Sequence, residues 1–484
     1  MKRFFVFCFF IFPVFLFSFE TPVRGLFNYK LDNGLDVYIL ENSSVPLVYI
    51  EVLIKGGGFG QSEENAGLFH LYEHMMFKGN ELYPDSSKVQ DAIASLGVPS
   101  WNGSTSSDYV NYYFTVPSRE LEAGLRFWSS ALRSPLLLPE EFENEKKVVV
   151  SEIADKAADP STVLAYGINS LLFPDYPWRL DPAGSVENIM NADIGDLRAI
   201  KDEFYVPSNC ALFIGGDVDK EEALSLVKEI YGDWEGECTY WDNMTEYQNP
   251  DPFDSPQFYY FKSPGVSDSY ASVNIYFRGP DTVSDLESTY GADVWSSLIN
   301  DLNSTFIRNV FNYPSVDFLS ENSIGGGYLT KPDSSYITFY AGLKNPDKQL
   351  ARRTVNFTES LLYTEIPLMA GQKDYFSSRQ IDSVCKSVEN QRIISTDTTE
   401  AFFNEFRFWW ANTSPGYYFD YQKNLESVTQ SDIQAFVKKY LENRSPLVVL
   451  VLSPASYEAN REDLESFGFK EITAENAFWY NKSR

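Results

Sequence analysis

The first part of the chain alternates apolar and polar positions in a way that predicts a β-hairpin. The segments FNYKL and LDVYIL alternate on either side of an Asp32-Asn33-Gly34 turn, as two antiparallel strands do. The apolar segment VPLVYIEVLIK follows and ends in glycines at 56–58, which predicts a further strand. These segments indicate that a sheet begins close to the N-terminus.

Helical periodicity follows the glycines. The capping residues Ser62 and Asn65 predict the start of a helix that ends at Lys78 and Gly79. Further along, the pattern predicts a helix, an alternating strand and a mostly helical segment, at 84–96, 108–116 and 118–157. Strands mixed with long helices predict a sheet that is covered by helices.

The second half of the chain restarts in the same style. Residues 243–256 are rich in Asn, Asp and Pro and lack periodicity, so we predict an interdomain linker there. The segment ASVNIYFRGP at 271–280 resembles the strand VYIEVLIKGGG of the first half, and a helical stretch follows each, which suggests an ancient duplication. The predicted fold class is α+β. It has two related α/β sandwich domains, at 24–242 and 257–484, with mixed, largely antiparallel sheets flanked by helices.

The N-terminus has the anatomy of a secretory signal peptide. Lys2 and Arg3 precede an almost wholly apolar run at 4–17, and the small residue Ser18 lies near its end. We therefore predict a signal peptide at 1–19 and export, to a bacterial periplasm. An uncleaved N-terminal membrane anchor is the alternative, because the segment lacks a clean A-x-A cleavage site, although a span needs about 20 apolar residues.

Composition and charge narrow the class of partner. The hydrophobic fraction of 44% is typical of a folded protein, and 484 residues exceed what one hydrophobic core supports. The formal net charge is −29, which argues against nucleic acid, because binding there depends on Lys and Arg neutralising phosphates. A protein or peptide partner remains compatible with such a surface.

The candidate chemistry lies in the predicted helix at 62–79. The only two histidines of the chain, His70 and His74, frame Glu73 in the pattern His-x-x-Glu-His. Positions i, i+3 and i+4 share one face of a helix, so all three side chains point into one small volume. Two imidazoles begin a zinc site, and a neighbouring carboxylate is placed to act on a metal-activated water.

A third ligand has to be a carboxylate, because no other histidine exists and a thiolate ligand would be unusual here. The segment PEEFENEKKVVVSEI at 139–153 places Glu145 and Glu152 two helical turns apart on an otherwise apolar stripe. Acidic side chains are seldom buried unless they are paired or bind a metal. Spacing alone leaves the choice between these two residues open.

The sequence around these residues resembles the insulinase/pitrilysin metallopeptidases, which include the mitochondrial processing peptidases. His-x-x-Glu-His is the inverzincin motif, and GLFHLYEHMMFKG, SWNGSTSSDYVNYYF and YVPSNCALFIGGDVD look like further landmarks of that family. The resemblance implies one Zn²⁺ per chain, held in a catalytic domain at 24–242 by His70, His74 and Glu152. It assigns Glu145 a supporting role and leaves the related domain at 257–484 without metal.

The same resemblance implies how substrate is held. Asn102 and the strand after it would flank an extended peptide, and two domains or two subunits would enclose it in a clam-like chamber. Family members often carry an Arg and a Tyr seven residues apart in the second half. Here Ser315 follows Arg308 at that distance, and the nearest tyrosine is Tyr313. Another loop geometry or a second subunit could supply the pair.

The predicted function is that of a zinc-dependent endopeptidase for peptides or unfolded polypeptides, with Glu73 as general base. The alternative is a non-catalytic family member that acts as a binding or assembly subunit. The predicted partners are a peptide substrate and a second copy or a related subunit, as a homodimer or a heterodimer, and no nucleic acid.

Overall fold

A computed structural model of the chain describes residues 19–21, 23–98, 101–242, 247–345 and 348–481. The predicted signal peptide therefore lies, except for its last residue, outside the described residues. The same holds for residues 243–246 of the predicted linker, and its residues 247–256 contain no helix or strand. No helix in the described part of the chain is long and apolar enough to cross a membrane.

The first half of the chain forms one sheet and the helices around it. Its strands are β1 (Phe19–Glu20), β2 (Leu26–Lys30), β3 (Asp36–Glu41), β4 (Leu47–Lys55), β5 (Trp101–Thr105), β6 (Tyr109–Pro117) and β7 (Cys210–Gly216). Its helices are α1 (Leu68–Met75), α2 (Ser86–Ser95), α3 (Leu121–Arg133), α4 (Pro139–Ala158), α5 (Pro160–Leu172), α6 (Val186–Asn191), α7 (Ile194–Phe204) and α8 (Lys220–Tyr231).

The second half forms another sheet. Its strands are β8 (Gln257–Lys262), β9 (Tyr270–Arg278), β10 (Ile324–Leu329), β11 (Tyr336–Lys344), β12 (Leu447–Leu452) and β13 (Lys470–Glu471). Its helices are α9 (Leu286–Ile299), α10 (Thr305–Phe311), α11 (Leu350–Ser360), α12 (Ile366–Gly371), α13 (Ser378–Ser395), α14 (Thr399–Asn412), α15 (Pro415–Ser427), α16 (Gln430–Tyr440), α17 (Pro454–Ser466) and α18 (Ala474–Ala477). A π-helical turn, Leu361–Glu365, joins α11 to α12.

The two sheets share one strand order, as expected of a duplication. From the edge inwards the first sheet runs β5-β6-β4-β7-β3 and the second runs β10-β11-β9-β12-β8. In both, the first three neighbouring pairs are antiparallel and the fourth pair is parallel. The predicted fold class of two mixed α/β domains with helix-covered sheets is confirmed.

Each sheet packs its own helices on one face and a helix of the other half on the opposite face. Aromatic residues of α14, among them Phe403 and Phe406, pack on Tyr38 and Phe213 of the first sheet. Leu172 of α5, together with other apolar residues of that helix, packs in one cluster with the second sheet. The halves therefore exchange helices reciprocally, and burial of this apolar surface stabilises their union.

A buried ionic cluster joins the halves beside the α14 contact. Glu51 of β4 is fully buried, and its carboxylate accepts hydrogen bonds from Arg407 of α14 at 2.9 Å, Asn111 at 2.7 Å and Tyr49 at 3.0 Å. Ser104 of the edge strand β5 donates to the other end of the Asn111 amide at 2.5 Å. The edge strand is thus connected through Asn111 and Glu51 to a helix of the second half.

One local expectation was wrong and another was confirmed. The histidine helix begins at Leu68 rather than near Ser62, because Gly67 caps it in a left-handed conformation with φ of 95°. Residues 63–67 form turns, and the Asn65 side chain accepts a hydrogen bond from the backbone N–H of Ser62. The segment predicted as mostly helical at 118–157 is confirmed, since α3 and α4 account for most of it, and they are separated by a short connection in which Leu137 has a positive φ of 47°.

Candidate metal centre

Helix α1 presents its motif residues because its other face is apolar. Leu68, Phe69, Leu71, Tyr72 and Met75 are buried against the core of the first half. The three motif side chains, at positions 70, 73 and 74, lie on the remaining, partly accessible face, which contacts α4 and β5. The amphipathic pattern of one short helix therefore orients all three.

Helix α4 brings a carboxylate to the two histidines. The Oε2 atom of Glu152 lies 3.4 Å from Nε2 of His70 and 3.8 Å from Nε2 of His74. One donor atom from each residue falls within 4.8 Å of the other two. Two imidazole nitrogens and one carboxylate oxygen that converge in this way match the donor set and open coordination of a catalytic zinc site, so the residues fit the metal.

The second carboxylate of the α4 stripe, Glu145, faces the other nitrogen of His74. Its Oε2 atom lies 2.9 Å from Nδ1 of His74, and its Oε1 atom lies 2.6 Å from Nζ of Lys78. If Nδ1 donates its hydrogen here, Nε2 keeps its lone pair directed at the side of Glu152. Glu145 thus contacts a candidate ligand, and the Lys78 ammonium balances its charge.

Glu73 is held against the edge strand β5. Thr105 donates its hydroxyl to Oε2 of Glu73 at 3.0 Å. Gly103 leaves room for the same carboxylate, since a β-carbon on that residue would lie 3.0 Å from Oε1 of Glu73. The carboxylate is therefore fixed between the motif helix and the strand.

Burial and neighbouring charges shift the pKa values of this cluster. Burial lowers the pKa of His70 to about 3 and raises the pKa of Glu73. Burial also opposes the charged form of His74, but the hydrogen bond to Glu145 and the surrounding carboxylates outweigh it and raise the pKa. For Glu145, the bonds to His74 and Lys78 outweigh burial and lower the pKa. A metal that binds Nε2 of His74 has to displace any proton there.

The residues expected to touch substrate lie in different places. Asn102 is exposed on β5, which is the edge of the first sheet among the described strands. Arg308 is exposed on α10 and contacts Thr305 of the same helix. The Tyr313 hydroxyl donates to the buried Glu365 at 2.6 Å, so that side chain already has a partner within the second half.

Sequence reasoning missed Lys78 and Thr105, which bond to Glu145 and Glu73. Lys78 follows His74 by four positions at the end of the same helical segment, so the spacing rule that selected the motif residues could have found it. Thr105 lies 32 positions from its partner, and only the pairing of β5 with β6 brings it to the helix. No local signal distinguishes it from the other hydroxyl residues of that strand.

The fold and this cluster define a two-domain protein with a candidate zinc site of the metallopeptidase type. Residues 37–177 match the profile of Insulinase (Peptidase family M16), and residues 191–364 match the profile of the Peptidase M16 inactive domain. The chain belongs to the insulinase family, peptidase family M16, as the resemblance implied.

Known proteins show the same relationship. The chain is 31% identical over 227 residues to the uncharacterized zinc protease YmfH of Bacillus subtilis (strain 168), which covers 44% of this chain and 51% of that protein. It is 24% identical over 228 residues to the cytochrome b-c1 complex subunit 1 of Bos taurus, covering 47% and 46%. The chain spans about half the length of these relatives.

The solved structure of the first half of the periplasmic protease PqqL from Escherichia coli has the same fold. It superposes with a TM-score of 0.71 over 95% of this chain and 98% of that chain, at 17% sequence identity. The superposition supports a common architecture for the two halves. At an identity this low it carries no information about the substrate.

Proposed function

We propose that this protein is a zinc-dependent endopeptidase that hydrolyses peptides or unfolded polypeptides. The observation that carries the proposal is the convergence of His70, His74 and Glu152, with Glu73 fixed beside them. Relatives named as zinc proteases support it. One zinc ion per chain would be held by the two Nε2 atoms and the Glu152 carboxylate. When bound, it supplies Lewis acidity that polarises a carbonyl and acidifies water.

Glu73 is the residue we assign to proton transfer. Burial raises the pKa of its carboxyl, which makes it a better base than a solvated glutamate, and Thr105 fixes its orientation. It takes a proton from the attacking water as the peptide carbon is attacked, and it later delivers that proton to the leaving amine. Glu145 acts only through His74, whose ring it orients, and is therefore a positioning residue.

The edge strand β5 is the surface we propose for substrate. Strand β5 pairs with β6 on one side, and among the described strands none pairs with its other side. An extended peptide can add to such an edge through main-chain hydrogen bonds, with Asn102 beside it, and would then pass Glu73. Binding through the main chain selects for extended, unfolded segments rather than for one side chain.

A non-catalytic role in an assembly is the second candidate. The relatives include a cytochrome b-c1 complex subunit, and residues 191–364 match an inactive-domain profile. The complete set of His70, Glu73, His74 and Glu152 favours the enzyme. We propose that a second copy or a related subunit completes substrate binding, since Arg308 and Tyr313 contact other residues of the second half.

The decisive experiment compares wild type with Glu73→Gln and with Glu140→Gln, an exposed glutamate of α4 that serves as the control. Zinc content is measured by elemental analysis, and cleavage is measured on a quenched unstructured peptide. We expect all three proteins to retain zinc and Glu73→Gln to lose about 10²–10⁴-fold in kcat. Equal rates for wild type and Glu73→Gln, alone and with any co-purifying subunit, would exclude the enzyme and favour the assembly role.

We further propose that the chain is exported, on the basis of its N-terminal segment. N-terminal sequencing of the protein recovered from its producing cells tests this. A start near residue 20 supports a cleaved signal peptide, and a start at Met1 or Lys2 supports a retained anchor.

A further inference from the structure

A cavity of about 480 Å³ lies between the two halves, on the α14 face of the first sheet. Its walls include Lys55 at the end of β4, Asn412 at the end of α14, and the aromatic residues Phe59, Trp241 and Trp410. Small-molecule sites have volumes of about 300–1,000 Å³, are mostly apolar, carry a few polar groups and occur between domains. This cavity lies between the halves and has a volume in that range, its wall mixes charged and polar side chains with aromatic ones, and it contains none of the residues of the metal centre.

Lys55 brings a charge to the cavity without an ion-pair partner. Its ammonium lies 4.7 Å from the centre of the Trp410 ring, and no carboxylate of the described residues lies within 4 Å of it. Burial lowers the pKa of Lys55, and the charge of nearby Asp36 offsets this lowering only in part. An anion placed against Lys55 would supply the remaining compensation.

The acidic residues of the cavity already have donors. Asp36 accepts from Lys30 at 3.2 Å and from the Trp410 indole at 3.1 Å, on different oxygens. Asp108 accepts from Ser106 on one oxygen and from Asn412 on the other. Because both carboxylates already accept hydrogen bonds, we expect each of them to repel an anion at Lys55 less strongly than an unpaired carboxylate would.

Asn412 adds an unused acceptor. The residue is 2% exposed, and both hydrogens of its amide are donated, to Asp108 and to the Phe408 carbonyl. These bonds fix the amide orientation and leave Oδ1, a buried atom on a residue of the cavity wall, as the side-chain atom available to a ligand. No donor among the described residues reaches it. A buried acceptor without a donor is costly and favours a ligand that brings an N–H or O–H group.

We propose that this interdomain cavity binds a small organic anion. The ligand would place a carboxylate against Lys55, an N–H or O–H group against Oδ1 of Asn412, and an apolar or aromatic body against Trp241 and Trp410. The mouth of the cavity includes exposed Val283 and Leu286, which extend its apolar lining to the surface. N-acylated amino acids and the C-terminal residues of peptides carry all three groups.

The test uses hippurate, which has a carboxylate, one amide N–H and a phenyl ring, and isothermal titration calorimetry on the full-length protein as purified. We expect a dissociation constant of about 1 mM or tighter. The methyl ester should bind at least about tenfold more weakly, because it lacks the anion. The N-methyl analogue should bind about three- to tenfold more weakly, because it cannot donate to Asn412.

Variants locate the site. Lys55→Met should weaken hippurate binding at least about tenfold, whereas Lys30→Met, which removes a lysine already bonded to Asp36, should change it less than about twofold. Ala411→Phe fills the cavity from its wall and should abolish binding, with folding verified by the far-UV circular dichroism melt.

Three results would overturn the proposal: no hippurate binding to wild type, unchanged binding in Lys55→Met, or unchanged binding in Ala411→Phe. The last two would place the ligand elsewhere, for example at the metal centre. The titration is repeated on Glu73→Gln, which should bind hippurate as wild type does. Failure of the peptidase assignment therefore leaves this result intact.

Discussion

The two halves of the molecule have the same sheet and different chemistry. Strand β4 leads to α1, and its counterpart β9 leads to α9. Asp293 lies 15 residues beyond the end of β9, as His70 lies beyond the end of β4. At this offset the second half carries Asp293, Ser296 and Ser297 where the first carries the three motif residues. The two halves share one architecture, and the candidate metal donors His70, His74 and Glu152 all lie in the first half.

The counterpart position shows what a polar residue does there without a metal. Asp293 accepts the hydroxyl of Tyr421 at 2.9 Å, and burial raises the pKa of its carboxyl to about 7. Its counterpart His70, in contrast, places Nε2 3.4 Å from a carboxylate oxygen of Glu152. At this position the second half therefore carries a hydrogen-bonded acid, whereas the first half carries an imidazole of the candidate metal centre.

The largest expected effect is a loss of bound zinc on substitution in the first half but not in the second. Glu152→Gln should lose zinc and, with it, peptidase activity. Both zinc affinity and activity should fall by more than about 10–100-fold, the range typical of a residue that only supports a ligand. Asp293→Asn should leave the zinc content at wild-type level. Elemental analysis of both purified variants checks this. Zinc that follows Asp293 rather than Glu152 would reverse the assignment of the two halves.

The connection between the halves is expected to be the next most sensitive feature. Arg407→Met leaves Glu51 buried without its cation, which typically costs about 3–5 kcal/mol in the free energy of unfolding. Lys344→Met removes a pair whose partners are both well exposed and should cost no more than about 1 kcal/mol. Urea unfolding measures both. A small loss for Arg407→Met would show that the apolar contacts of α14 suffice to join the halves.

Glu145→Gln should have an intermediate effect on the metal centre. The amide still accepts from His74 through its oxygen but no longer neutralises Lys78, so zinc affinity or activity should fall about 10–100-fold. Zinc competition with a chromophoric chelator measures the change against Glu140→Gln. A loss greater than that of Glu152→Gln would exchange the two roles.

The smallest effect concerns pH and the second half. The pKa of Asp293 is raised from about 3.8 to about 7 on folding, so the native protein binds this proton more tightly than the unfolded chain. The contribution to stability is therefore greatest below about pH 4 and declines as pH rises to about 7, by at most about 1.4 kcal/mol per pH unit. The difference in unfolding free energy between wild type and Asp293→Asn should fall from pH 5 to pH 7. A constant difference would contradict the assignment.

Local patterns in the sequence predicted more of the metal centre than of its surroundings. The face formed by His70, Glu73 and His74 follows from helical spacing, and the buried stripe of α4 follows from periodicity. The choice between Glu145 and Glu152 did not, because both lie on that stripe and only the packing of α4 against α1 orients them. Thr105 could not be predicted, since strand pairing decides its position.

For the fold as well, local patterns in the sequence predicted some features and not others. The hairpin turn, the resemblance between the two halves and the two-domain class could be predicted from local signals. The exchange of α5 and α14 could not, because an apolar helix face indicates that it will be buried but not against which sheet. The aromatic segment FFNEFRFWW therefore predicts a contact and leaves the partner unspecified.

Because α14 lies late in the chain, one face of the first sheet is covered late in synthesis. One face of the first sheet is covered by a helix that ends at Asn412, so nearly the whole polypeptide has to leave the ribosome before that face is closed. Until then, Tyr38, Tyr49 and Phe213 are exposed to water on a newly made sheet, the kind of surface that aggregates or recruits chaperones. Nascent chains stalled before residue 399 should therefore be held by a chaperone far longer than chains released after residue 412.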